Sequence, residues 1–150
     1  MDSQFKIDLH QQVDYRFEVR FDRAGMPNLI TDEAPPLGRD AGPNPARLLG
    51  AAVANCLAAS LLFALRKFKG DPQSVDASAV VNIVRNAQNR LRIGSIDVDL
   101  RLGIDGAEAP MLARALAQFE DFCIVTQSVR SAVPVTVRVL DRAGVVLKAS

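Results

Sequence analysis

The chain has 150 residues, 49% of them hydrophobic, and its eighteen basic and seventeen acidic side chains leave a net charge of +1. That length suits one domain that buries about two thirds of its unfolded surface without disulfide support. The balance of charge excludes a field that would gather nucleic acid or an anionic membrane.

Taken from its start, the chain alternates polar and apolar residues over Met1 to His10 and shows no basic, apolar and small-residue regions of a secretory leader. A reducing cytoplasm is therefore the expected location. Phe5, Ile7 and Leu9 predict a first strand, and after a break Val13, Tyr15, Phe17, Val19 and Phe21 predict a second, both with period two. They make a half-exposed antiparallel sheet. Arg23-Ala24-Gly25 turns the chain, Leu29 and Ile30 predict a short third strand, and the segment from Thr31 to Pro45 holds four prolines and two glycines. A punctuated loop of that length points to function.

Asn44 followed by Pro45 predicts a helix start, since asparagine caps free amides and proline at the first helical position loses no donor. The helix should run to about Lys69 and stop at Gly70, with Arg66, Lys67 and Lys69 complementing its dipole. Inside it, Leu48 to Leu65 is an uncharged run of eighteen residues, the lower limit for a bilayer span. Six alanines, Asn55, Ser60 and basic flanks at both ends favour instead a helix fully buried at the centre of a fold, with no membrane partner.

Beyond Pro72, Val75, Ala77, Ala79, Val81 and Ile83 predict a strand that pairs as a hairpin, across Asn86 to Asn89, with Ile96, Val98, Leu100, Leu102 and Ile104. Pro110 opens a second helix on which Leu112, Leu116, Phe119 and Cys123 keep helical spacing. Val133, Val135, Val137 and Val139 form a further strand, and Asp141 to Gly144 turns into a last one at Val145 to Leu147. The class is α+β, one domain over residues 1–150, with helices packed on antiparallel sheet.

With one histidine, no tryptophan and no glycine-rich phosphate loop, chemistry falls to the two cysteines. Cys56 lies inside the first helix with Ala52, Val53, Ala59 and Ser60 at three and four positions, so its face is small and open to close approach. A helix midpoint and apolar surroundings do nothing to ionise a thiol, so a reactive Cys56 needs a cation from elsewhere in the fold. Arg39, in the loop beside Gly38 as a hinge, is the favoured supplier; Arg47 is the rival, although nine positions put it about 180° round an ideal helix from Cys56. Cys56 and Cys123 also read plainly as small core residues. Two cysteines and His10 lack ligand spacing, so neither metal nor cofactor is expected, and His10 reads as an exposed residue at a strand end.

Asn44-Pro45-Ala46-Arg47-Leu48-Leu49 leading into Ala54-Asn55-Cys56-Leu57, with Phe119-Glu120-Asp121-Phe122-Cys123-Ile124-Val125 ahead of a valine strand, resembles the OsmC/Ohr family of osmotically inducible and organic hydroperoxide resistance proteins. Thr31 to Gly38 and Gly42 to Pro45 are closer to its OsmC-like branch. The resemblance covers essentially the whole chain. It implies an OsmC-like fold of antiparallel sheets on two main helices, one of them central and buried, in an intertwined homodimer. It implies a thiol peroxidase in which Cys56 attacks a hydroperoxide, Cys123 resolves the sulfenic acid as a disulfide, and a dithiol such as a dihydrolipoyl protein reduces it. The family's thiolate-facing arginine corresponds approximately to Arg39. Relatives that reduce hydroperoxides well carry glutamate where this chain has Ala46, and Arg47 stands where many carry a second acid, with Asp40, Glu120 and Asp121 as partners it could use. The departure at Ala46 keeps a second reading open: an OsmC-fold dimer that binds an apolar or electrophilic small molecule without turnover.

Overall fold

In a computed structural model, residues 3–106 and 112–150 are described. The chain divides into two compact units, Met1–Leu48 and Leu49–Ser150. The first is a three-stranded antiparallel sheet of order β1-β2-β3, formed by Ile7–Val13 (β1), Arg16–Phe21 (β2) and Leu29–Thr31 (β3). The expected break after Leu9 is absent: β1 continues to Val13, and Asp14 and Tyr15 make the turn, Asp14 with φ of 51°. Aspartate tolerates that left-handed conformation. A shift in register between Gln11 and Val13 accounts for the change of phase in the alternation. His10 sits exposed in mid-strand opposite Glu18.

The long helix α1 spans Pro45–Lys67 and begins as expected, because the Asn44 side-chain oxygen accepts the Arg47 N–H at 3.0 Å. At its far end Lys69, not Gly70, takes the left-handed conformation, with φ of 59°. The Gly70 N–H then reaches back to the Leu65 carbonyl at 2.8 Å and Lys69 N–H to Arg66 at 2.9 Å, the paired bonds of a Schellman ending.

In the second unit Val75–Arg85 (β4), Leu91–Leu102 (β5), Val135–Leu140 (β6) and Val146–Ala149 (β7) form a sheet of order β4-β5-β6-β7. The β4–β5 hairpin is as expected, closed where the Asn86 side chain accepts N–H groups of Gln88 and Arg90. The all-antiparallel expectation fails at one pair. β5 and β6 run parallel, Ile96 opposite Val135 through Arg101 opposite Leu140, because helices connect them and a helical crossover returns the chain in the same direction.

Inward side chains of β5 (Ile96, Val98, Leu100, Leu102) and β6 (Val137, Val139) are buried against Val53, Leu57, Leu61, Ala64 and Leu65 of α1 in one core. By length and a mean hydropathy of 2.1 α1 is apolar enough to cross a membrane, yet this face is a core face. The helix is buried on that side only: Ala51, Ala52, Asn55, Ala59 and Phe63 are exposed, so the expectation of complete burial holds for half its surface.

The expected second helix is broken into three pieces: Leu112–Gln118 (α2), a 3-10 turn over Phe119–Phe122, and Ile124–Val129 (α3), which the periodicity did not reveal. Its expected start at Pro110 lies outside the described residues. The break follows from Phe119, which is fully buried, and Glu120, whose carboxylate is drawn aside by three partners.

Leu61→Ala in the α1 core should lower unfolding free energy by about 2–5 kcal/mol, and Asn44→Ala by about 1 kcal/mol through loss of the cap. Urea denaturation of the three proteins measures both; a larger loss at the cap than in the core would contradict the packing described.

Candidate functional site

Cys56 is carried on α1 next to the buried Leu57, and it is half-buried where most of its neighbours on the core face are sealed. Cys123 is fully buried at the N-cap position of α3. Its N–H donates to the Glu120 carbonyl at 3.1 Å and its carbonyl accepts the Gln127 N–H at 3.0 Å, so the backbone on both sides of the sulfur is tied down. The Cys123 thiol donates to the Thr126 hydroxyl at 3.0 Å. Both cysteines are free thiols, and the Cys56 thiol lies near enough to Cys123 to help raise its pKa. Burial pushes the Cys123 thiol up from its ordinary value, the nearness of Cys56 adds to this, and the hydroxyl and backbone N–H of Thr126 offset part of it.

Two aromatic rings border the cysteines. Phe63, two helical turns beyond Cys56, meets Phe122, which precedes Cys123, edge to face with centroids 6.3 Å apart. Lys67 places its ammonium 5.7 Å from the centre of the Phe122 ring. Phe63 and Phe122 are both exposed, so this is an open apolar rim.

Glu120, three residues before Cys123, is a buried hub. Its carboxylate accepts Arg130 at 2.5 Å, Lys148 at 2.8 Å and the Ser150 hydroxyl at 2.9 Å. Burial raises its pKa, but the bonds from Lys148, Arg130 and Ser150 outweigh that and hold it below the usual carboxylate range. Glu120 is thus committed to partners other than Arg47, one of the pairings the sequence left open.

In the first unit the loop after β3 is wound round the buried Asp32, whose carboxylate accepts N–H groups of Glu33 at 2.8 Å, Arg39 at 3.1 Å and Ala41 at 3.1 Å. Burial pushes Asp32 up, while those three N–H groups and the charge of Arg16 bring it net downward. Gly38 is no hinge. A Cβ there would lie 2.2 Å from the Glu33 carbonyl oxygen, so glycine is required by close packing, and the backbone beside Arg39 is fixed. The Arg39 and Arg47 side chains are exposed. Arg16, read from the alternation simply as a polar strand residue, has its Nε buried without a hydrogen-bond partner. The sequence also gave no sign of Thr126 or of the Glu120 hub; Phe63 was findable from its seven-residue spacing to Cys56.

A family model described as OsmC-like protein matches residues 38–138. No curated protein sequence matches the chain. Among solved structures, an OsmC-like protein of unknown function from Vibrio cholerae superposes with a TM-score of 0.79 at 16% identity, over 93% of this chain and 100% of that one. An organic hydroperoxide resistance protein from the same organism, with captopril in one of its active sites, gives 0.70 at 18% identity over 98% and 97%. The organic hydroperoxide resistance protein OhrB of Bacillus subtilis gives 0.63 at 19% over 91% and 98%. At these identities the likeness is one of fold.

Because the Glu120 pKa is depressed in the folded chain, its contribution to stability is present above the unfolded value near 4.5 and is lost as pH falls through the lower folded value. Glu120→Gln should flatten that acid-side loss, and urea unfolding of both proteins between neutral pH and pH near 3 checks it. Parallel pH profiles would remove Glu120 as a source.

Proposed function

Because this chain belongs to the OsmC-like protein family, we propose that it is a thiol-dependent peroxidase reducing organic hydroperoxides or hydrogen peroxide, with Cys56 as the peroxidatic thiol and Cys123 as the resolving one. The observation that carries this reading is that the half-buried Cys56 thiol lies near enough to the fully buried Cys123 thiol to help raise its pKa, both being free. The fold shared with organic hydroperoxide resistance proteins supports the substrate class, as does the apolar rim of Phe63 and Phe122.

In this reaction the Cys56 thiolate attacks the distal oxygen of the hydroperoxide. The O–O bond breaks, the alcohol leaves with the remaining oxygen, and Cys56 becomes a sulfenic acid. Cys123 then displaces water from that sulfur and the two form a disulfide. A dithiol, a lipoylated protein by analogy with the family, returns both to thiols. Arg39 is the cation assigned to the thiolate, its backbone already held by Asp32.

All 150 residues act as a single OsmC-like domain within an intertwined homodimer in the cytoplasm. Ala51, Ala52, Ala59 and Phe63 of α1 and Val80, Ile83 and Val84 of β4 are exposed apolar side chains that a second copy would cover. Neither nucleic acid nor membrane is a partner in this reading.

Reduced protein mixed with cumene hydroperoxide should consume one equivalent and lose two thiols per chain. Cys56→Ser should abolish consumption, and Cys123→Ser should consume peroxide once and stop as a sulfenic acid trappable with dimedone. Unchanged thiol content in the parent protein, or equal turnover in both variants, would exclude these roles.

Ala46 favours a second reading, a dimer binding an apolar or electrophilic ligand, since no carboxylate follows Asn44-Pro45 to hold an arginine in place. The Cys56 pKa, followed by ultraviolet thiolate absorbance, separates the two: a value clearly below the free thiol's ~8.5 supports catalysis, and one at or above it supports binding.

A further inference from the structure

Thr126 is fully buried, and its hydroxyl is the group that receives the Cys123 S–H. We propose that Thr126 is a catalytic residue of the regeneration half-reaction, stabilising Cys123 as the leaving thiolate so that the reductant attacks Cys56. The inference rests on the two-cysteine cycle proposed above, and it concerns the step that closes the cycle.

In the Cys56–Cys123 disulfide an incoming thiolate must approach one sulfur in line with the S–S bond. Access selects Cys56, because Cys123 has no exposed surface and Cys56 keeps some. The new bond joins the reductant sulfur to Cys56, the Cys56–Cys123 bond breaks, and its electron pair leaves on the Cys123 sulfur. The second thiol of the dithiol then attacks its own sulfur in the mixed disulfide and releases Cys56. The reductant departs as a disulfide, having passed on two electrons, and its two protons balance the two restored thiols.

A sulfur that must leave from a buried place is a poor leaving group, since burial raises the Cys123 pKa and disulfide exchange is faster when the leaving thiol is more acidic. Thr126 alone opposes this, through its hydroxyl and its backbone N–H. A hydroxyl has one hydrogen to donate and two lone pairs to accept. With a neutral thiol it accepts; with a thiolate it turns and donates. Among the described residues no hydrogen bond donated by the Thr126 hydroxyl occurs, so its hydrogen is uncommitted. The nearby carboxylate of Glu120 is spent on Arg130, Lys148 and Ser150 and has no donor to give.

The test uses disulfide made with diamide, an azo oxidant that takes up the two thiol hydrogens, so no peroxide step is involved. Reduction by dithiothreitol should be about ten- to a hundredfold slower in Thr126→Val, the loss expected for one hydrogen bond to a charged sulfur. Thr126→Ser, which keeps the hydroxyl, should recover most of the rate. Glutathione, a monothiol, followed by alkylation and peptide mass spectrometry, should place the mixed disulfide on Cys56 and the alkyl group on Cys123 in the parent protein, a result that needs no variant to fold. A folded Thr126→Val reduced at the parent rate, glutathione on Cys123, or no disulfide with diamide would overturn the inference. Normal diamide and dithiothreitol behaviour without hydroperoxide consumption would instead count against the peroxidase reading alone.

Discussion

The apolar contact between α1 and the β4–β7 sheet decides where the Cys56 sulfur goes. Val53, Leu57, Leu61 and Leu65 recur at four-residue steps and are buried against β5 and β6, each such side chain contributing roughly 1.5–3 kcal/mol of burial. That stripe fixes the rotation of the helix about its axis. Cys56 neighbours Leu57 and so lies at the edge of the stripe, half in the core and half out. A rotation of one residue, about 100°, would seal it or expose it fully, and either would spoil the thiol for the role proposed for it.

The partner is held by a different means. Cys123 stands between a 3-10 turn and α3, where no regular helix would place it. Glu120 fixes this irregular piece by its carboxylate, to Arg130 at the end of α3 and to Lys148 on β7, and by its carbonyl, which accepts from Cys123 and Gln127. Buried ion pairs add little net stability compared with well-packed apolar side chains, because desolvation cancels most of their attraction. Here their use is geometric: they set one position for a loop that apolar packing alone would leave loosely defined.

This division explains what could be read from sequence. Strands with strict alternation, such as Ile96 to Leu102, and the helix opened by Asn44-Pro45 rest on local signals, and the structure has them where the pattern puts them. The hairpin turn at Asp14 and the parallel pairing of β5 with β6 depend on a bulge and on a crossover, neither of which leaves a periodic trace. The pairing proposed for Cys56 and Cys123 comes from the resemblance and not from spacing; sixty-six residues of intervening sequence carry no statement of distance. Gly38 departs from the expected hinge for a related reason, since a glycine required by a neighbour's carbonyl and a glycine required for motion look alike in one sequence.

The asymmetry between the two thiols has a consequence for the cation. In the proposed cycle a thiolate on Cys56 would stand beside a Cys123 thiol that burial keeps neutral and that could not balance its charge. Under that proposal neutralisation would fall to a guanidinium. The resemblance puts a glutamate after the Asn-Pro pair to restrain such a group, and with Ala46 here any restraint would lie in the backbone. The Arg39 N–H is held by Asp32, a carboxylate itself kept ionised by three N–H groups. That arrangement fixes the root of the side chain and leaves its head free. In the proposed cycle an arginine fixed only at its root would lose side-chain entropy each time it engaged the thiolate, a cost that would fall on peroxide reduction and not on disulfide formation or its reversal.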